Sequence, residues 1–428
     1  MPKLRALSVA LALLLTHPAW ATEDQVPLTL KQAEKIALEE NPALAASQAQ
    51  AQALAEVPPQ AGSLPDPQLS LNAMNLPVDT FSATQENMTQ LQVGISQAIP
   101  FPGKLRLREE AARHLAESAT FEIEETRLRL IRNVRIAWWN LFYLDRALEI
   151  INRNQELLRQ FIRIAETKYK VGKGLQQDVL LAQVELSKLL DIEIQLKGAR
   201  KSEEARLNAL LNRPTHIGIR LPAKVEEALP NIPEESELHR IALNARPLLA
   251  SQNEIIKAAD RRVELARKDY YPDFKLGAGY GFRSGINPAN NRSRPDFASF
   301  MLSMNLPIFT DTKQDRALAQ RKAELVREQF RLQDTTESVW SEASTAIADY
   351  RRSRDQALLF KTGIIPQASQ TVDSMLAGYQ VNKVDFLNLV NSQITLYNYE
   401  TQYWKSLAEA RQSLARLEAS IGKEITDE

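Results

Sequence analysis

Residues that could do chemistry are sparse in this chain, and none stands at a spacing that makes a reactive centre. Cysteine is absent, so there is no thiol nucleophile, no thiolate metal ligand and no disulfide. Past the N-terminal segment the histidines are His114, His216 and His239, far apart and without the short spacing of zinc ligands. They read as scattered surface or helix residues, so no metal site is expected. Met301 and Met304 lie three apart in a segment of strand character and therefore face opposite sides. Packing or lipid contact suits them better than a soft-metal relay. Asp355 and Asp385 lack an acid or base partner at catalytic spacing, and solvated faces account for them. There is no phosphate loop and no nucleophile motif. No catalytic or cofactor-binding residues are expected, and the chain does not read as an enzyme. What remains is the chemistry of a passive conduit: polar linings, charge rings and a constriction.

The N-terminus sets the compartment. Lys3 and Arg5 precede a short apolar run from Ala6 to Leu15, and Ala19-Trp20-Ala21 supplies a small-x-small processing site. This pattern predicts an export signal over residues 1–21, with a mature protein that begins at Thr22 and carries no lipid on a cysteine. Lys plus Arg and Asp plus Glu both number 53, and a net charge of zero argues against a nucleic-acid partner. No later run reaches 18 apolar residues. Any membrane crossing must then use strands of a closed barrel.

The conduit's frame is written twice. Ala37-Leu38-Glu39-Glu40-Asn41-Pro42 returns as Ala242-Leu243-Asn244-Ala245-Arg246-Pro247, 205 residues on. Pro65-Asp66 returns as Pro272-Asp273, and Pro100 as Pro307, at an offset of 207. Tyr169, Val171, Lys173, Gln183 and Leu186 match Tyr379, Val381, Lys383, Gln393 and Leu396 at 210. An offset held this steadily marks an old duplication.

Each half reads helix, strand, strand, long helix, helix. A Thr29-x-x-Gln32 capping box opens the first helix. Leu69, Leu71 and Ala73, then Leu91, Val93 and Ile95, alternate with polar residues, as strands do. In the second half Phe274, Leu276, Ala278, Tyr280 and Phe282 do the same, followed by Phe300, Leu302, Met304 and Leu306. Leu91, Val93, Ile95, Leu302 and Met304 are expected to face lipid, and Gln92, Ser96 and Ser303 the lumen. Polar connections, 78–88 and 284–296, separate the paired strands. A long helix is predicted over Leu105 to Val171, carrying a four-and-three seam from Ala137 to Tyr169 in which only Gln155 is polar. Val171-Gly172-Lys173-Gly174 breaks it, and another helix starts near Gln176. The second half repeats this from about Thr312 to Tyr379, turns near Asn382 and runs back to about Ile421.

These features resemble the TolC-like outer-membrane efflux family over essentially the whole mature chain. The likeness rests on Asn41-Pro42 and its echo Arg246-Pro247, and on the Tyr-x-Val-Gly turn from Tyr169 to Gly172. Asp178-Val179-Leu180 with Ala182-Gln183, and Leu396-Tyr397-Asn398, complete it. Ser96-Gln97-Ala98-Ile99-Pro100-Phe101-Pro102-Gly103-Lys104 looks most like members paired with heavy-metal cation pumps. The resemblance implies a mainly helical chain with membrane β-structure, forming a homotrimer. Each chain would lend four strands to one twelve-strand barrel in outer-membrane lipid, continued as a periplasmic helical tunnel. It also implies two partners, a periplasmic adaptor and an inner-membrane RND-type pump, and no cofactor. The tunnel would narrow at the helical turns, at Asp178, Tyr379, Lys383, Asn388 and Asn391. Family channels often carry an acidic ring there, whereas this sequence sets Asn388 and Asn391 opposite Asp178. The implied division is a signal at 1–21, a first repeat at 22–212, a Pro-rich connector at 213–235, a second repeat at 236–421 and a tail at 422–428. The competing readings are a periplasmic adaptor, which holds only one hairpin, and a structural coiled-coil protein, which leaves the strands unexplained.

Overall fold

The computed structural model of the protein describes residues 27–425. The expected signal segment and processing site lie outside the described residues. The first repeat begins with α1 (Leu30–Glu40), whose capping box is formed: the Thr29 hydroxyl accepts from the Gln32 amide and the Gln32 side chain accepts from the Thr29 amide. Asn41-Pro42 interrupts it. The Asn41 side chain accepts from the Ala43 and Leu44 amides at 3.0 and 3.3 Å, capping α2 (Pro42–Ala55). A short α3 (Val57–Gly62) leads into β1 (Gln68–Met74) and β2 (Gln90–Ile99).

The long helix α4 (Lys104–Lys170) spans 67 residues, about 100 Å at 1.5 Å per residue. Its partner α5 (Gln176–Leu210) returns along it. The seam packs as its periodicity predicts, with Ala137, Leu141, Leu144, Ile151, Leu158 and Ala165 all buried. Gln155, its polar member, donates to Glu193 of α5 at 2.7 Å, so the amide is satisfied within the interface. The second repeat follows the same order: α6 (Glu235–Ala245), α7 (Pro247–Lys268), β3 (Phe274–Phe282), then a two-residue hairpin, β4 (Ile286–Asn287) and β5 (Arg292–Ser293), in the connecting loop. After β6 (Phe297–Met304) comes α8 (Gln314–Leu359). A π-helical segment, Phe360–Ile364, then joins it to α9 (Ile365–Gln380), which α10 (Phe386–Ile421) follows. The π turn, and the Pro366 just past it, were not anticipated; π turns insert one residue into a helix without ending it.

The four long strands form one antiparallel sheet in the order β1-β2-β3-β6, so β1 and β6 are bonded on one side only. Register puts Leu71, Val93, Tyr280 and Ala298 in one row, and Leu69, Ile95, Ala278 and Phe300 in the next. Leu302 and Met304 lie on this same apolar face, with Phe300 88% exposed. The opposite face carries Gln68, Ser70, Asn72, Gln92, Ser96, Lys275, Ser299 and Ser303. On that face Gln92 Nε2 donates to Ser299 Oγ at 2.8 Å and Lys275 Nζ to Gln68 Oε1 at 2.8 Å. A Cβ on Gly279 would stand 2.5 Å from Gln92 Nε2, which is why β3 alternates glycine with large apolar residues.

At the base of the sheet the Pro100-Phe101-Pro102-Gly103-Lys104 segment turns strand into helix. Lys104 Nζ is buried between Asp269 at 3.1 Å and Asp273 at 2.9 Å, and Asp273 also accepts from the Phe101 amide at 2.7 Å. Burial opposes the Asp273 charge, yet those donors outweigh it and hold its carboxyl below the usual range. Beyond α5, residues 212–234 form a strap without helix or strand. Arg220 O accepts from Leu28 N, Glu227 bridges Lys361 and Tyr403, and Arg411 donates to the Glu226 carbonyl. Near it Arg135 of α4 gathers Glu34, Glu418 and Glu424. Burial works against that guanidinium, and the three carboxylates more than offset it, raising its pKa.

Candidate functional site at the helical turns

The two turns that end the long arms share one backbone. Gly172 and Asn382 both sit in the left-handed region, at φ 71 and 58. Gly172 N donates to Tyr169 O at 3.0 Å and Asn382 N to Tyr379 O at 3.2 Å. Lys173 N reaches Lys168 O at 2.8 Å, and Lys383 N reaches Gly378 O at 2.9 Å. This six-to-one bond closes a Schellman turn, and the left-handed residue makes it possible.

Side chains diverge on that common frame. Tyr169 is 49% exposed, whereas Tyr379 is 5% exposed, packed on Phe386 with centroids 5.2 Å apart. Phe386 meets Phe161 of α4 edge-on at 6.5 Å. Lys168 of the first arm reaches across: its Nζ donates to the Tyr379 carbonyl at 2.5 Å and to Asn382 Oδ1 at 2.7 Å, and lies 4.0 Å from the Tyr379 ring centre. One ammonium therefore ties the two hairpins together by charge-assisted hydrogen bonds and a cation–π contact. Sequence reasoning missed Lys168, because a single lysine near a helix end gives no local signal of a partner 211 residues away.

Asp178 sits in the first turn of α5, where the Leu175 backbone donates to its carboxylate. Its pKa is nonetheless raised, first by burial and then by the nearby charge of Asp385. Asp385 precedes α10 at its N-cap. The repeat alignment set Asp178 against Asn388 and so passed over this second acid, which sits three residues earlier. Asp178 in turn adds to the effect of burial in raising the Tyr379 pKa. The Tyr379 hydroxyl is buried without a hydrogen-bond partner. Lys383, Asn388 and Asn391 are exposed, on the turn and the first two turns of α10. The structure thus brings Asp178, Tyr379, Lys168 and Asp385 into one electrostatic neighbourhood at the end of the arms.

A second cluster lies near the other end of α4. His114 and Glu117 of α4 meet Glu254 of α7, their ligand-capable atoms all within 4.8 Å. The sequence spacing of histidines pointed to no metal ligands. The third member of this group comes from a different helix, which only the fold reveals.

A family model described as "Outer membrane efflux protein" matches residues 35–213 and 238–423, nearly the whole described chain and in two segments. The chain belongs to that family. Its function is that of an outer-membrane efflux channel, and the family's members are channels rather than enzymes. Among curated proteins it is similar to the cobalt-zinc-cadmium resistance protein CzcC of Cupriavidus metallidurans, at 22% identity over 414 residues, covering 95% of this chain and 93% of the relative. Three solved structures show how completely the efflux-family fold is kept. The outer-membrane channel OprN matches with a TM-score of 0.76 at 18% identity, over 92% of this chain and 89% of its own. VceC of Vibrio cholerae matches with 0.77 at 18%, over 92% and 96%. CusC matches with 0.74 at 16%, over 93% of each chain. Long helices continuing a four-stranded sheet are therefore the family's architecture, as the resemblance had implied.

Proposed function

We propose that three copies of this chain close one twelve-strand barrel in the outer membrane and continue it as a periplasmic tunnel. In this reading the channel is the passive exit of a tripartite system, docked through a periplasmic adaptor onto an inner-membrane RND-type pump. The observation that carries it is the sheet. Two singly bonded edges and one apolar face, broken only by Gln97, are what a barrel segment needs, since a barrel in lipid can leave no edge open. Four strands cannot close around a pore alone, and three such sheets can. The CzcC relative, whose name specifies cobalt, zinc and cadmium resistance, favours divalent metal cations as cargo. At the turns, Asp178 supplies the cation preference, Asn388 and Asn391 narrow the pore without charging it, and Tyr379 and Lys383 hold the closed state through contacts between neighbouring hairpins.

Detergent extraction of outer membranes tests the assembly: the protein should migrate as a trimer that heat converts to a monomer. Extraction as a monomer, or with the inner membrane, contradicts it. Orientation is tested by paired substitutions. Val93→Arg, on the apolar face, should cost about 2–4 kcal/mol and block assembly, while Ser96→Arg on the polar face is tolerated. Equal assembly of the two variants would overturn the assignment of faces.

A further inference from the structure

We propose that His114, Glu117 and Glu254 form a binding site for a first-row divalent cation of the zinc type, pinning α4 to α7. His114 Nδ1 lies 2.7 Å from Glu254 Oε2 and 3.4 Å from Glu117 Oε2. An ion bonded tetrahedrally at about 2.0–2.1 Å holds its ligands roughly 3.3 Å apart, so the three atoms need shift only by small amounts to share one. His114 and Glu117 stand three apart on one helix face, the spacing by which helical proteins present an imidazole and a carboxylate to a common ion. The third ligand crosses from the neighbouring helix.

The surroundings suit a site with one closed and one open side. The Glu254 side chain is only 10% exposed, and one turn along the interface Ser118 Oγ and Ser251 Oγ form a buried hydrogen bond at 2.9 Å. The Glu117 side chain is 48% exposed, which leaves room for water as a fourth ligand. Two carboxylates converging on one imidazole repel each other, and a bound cation offsets that repulsion. Lys257 Nζ takes the other Glu254 oxygen, Oε1, at 2.7 Å. It orients the carboxylate and leaves Oε2 directed at His114. One nitrogen and two oxygens, without sulfur, select Zn²⁺, Co²⁺ or Ni²⁺ over a soft monovalent ion such as Cu⁺. The cluster lies some 50 residues of helix from the turns, about 80 Å away, and is independent of any selectivity there.

The test uses the full-length protein in detergent, stripped by a chelator and titrated with Zn²⁺ by calorimetry and with Co²⁺ by visible absorption. One ion per chain is expected, with Co²⁺ bands of a low-coordinate nitrogen–oxygen site. His114→Ala should abolish the bands and weaken Zn²⁺ by at least about tenfold. Glu117→Gln, at a half-exposed position where the fold is safe, should weaken it comparably, and His239→Ala should change nothing. Absence of saturable Zn²⁺ binding below about millimolar, or binding that survives either His114→Ala or Glu117→Gln, overturns the proposal.

Discussion

The first and second helical turns began as one sequence, and comparing them separates what the backbone requires from what the channel uses. Both keep a left-handed residue and the same pair of closing hydrogen bonds, though one uses glycine and the other asparagine. Around that frame the setting has changed even where residues are shared: an exposed tyrosine against a buried one, an acid inside α5 against an acid at the cap of α10. The turn is a geometric requirement. Its side chains are free to specialise, and the two copies have become donor and acceptor of a single contact through Lys168.

Removing that contact should have the largest effect. Lys168→Ala deletes two charge-assisted hydrogen bonds and a cation–π contact, so docking of the hairpins should weaken by about 2–3 kcal/mol. Hydrogen exchange of the Tyr379–Asp385 amides should accelerate accordingly, and single-channel records should show more frequent opening. The equivalent residue in the second arm is Gly378, so no symmetric change exists there. Unchanged exchange at the second turn would mean that the two turns are not coupled.

Substitution at the left-handed position should matter less and sharpens the geometric half of the comparison. Gly172→Val should cost about 1–2 kcal/mol, because a β-branched residue resists that conformation. Gly172→Asn should be nearly neutral, as the second turn already works with Asn382. Thermal unfolding of the two variants in detergent decides this, and equal losses would show that the turns differ in backbone after all.

The smallest expected effect concerns charge. Asp178→Asn should lower cation preference and weaken block by multivalent cations in planar bilayers, and Asn388→Asp should strengthen both. The raised Asp178 pKa fixes the direction with pH. Burial and Asp385 disfavour its ionised form, so stability from this group is present at low pH and is lost as pH rises through its folded pKa. Acidification should therefore reduce cation selectivity at a higher pH than an ordinary aspartate would set, while tightening the tip. Asp178→Asn should flatten that dependence. A variant that keeps its selectivity and only melts earlier would assign Asp178 to capping α5.

Most of the fold was legible because its signals are local or repeated. The long helix was expected over Leu105 to Val171 and runs from Lys104 to Lys170, since the Pro-Phe-Pro-Gly turn before it and the Val-Gly-Lys-Gly break after it mark the ends. Strand faces followed from period-two alternation, and the register of four strands keeps Leu91, Val93, Ile95, Leu302 and Met304 on one side. What stayed hidden depends on contacts between distant residues. Lys168, Asp385 and the His114 cluster each acquire meaning from a partner on another helix, and no spacing in the chain encodes that. The 213–235 connector was equally opaque, since a strap held by backbone carbonyls to Arg411 and Leu28 carries no periodic pattern. The β4–β5 hairpin, only two residues a side, is too short to leave one.

The π segment of the second arm has a consequence for phase. From Gln314 to Gln380 that arm contains as many residues as α4, yet it is not wound the same way. Before the π turn, buried positions recur 209 residues after those of α4: Leu130, Val134, Ala137, Leu141 and Leu144 answer to Val339, Ala343, Ala346, Tyr350 and Ser353. Beyond it the next buried position, Val372, falls 211 after Phe161, and the turns that follow align at 210. A slipped backbone turn rotates everything downstream by roughly 100° per residue. Tyr169 and Tyr379 are equal in sequence rank, yet one faces solvent and the other faces Lys168. Two arms of equal length thus differ in winding as well as in side chains, and a straight rod stands beside one with a loosened coil.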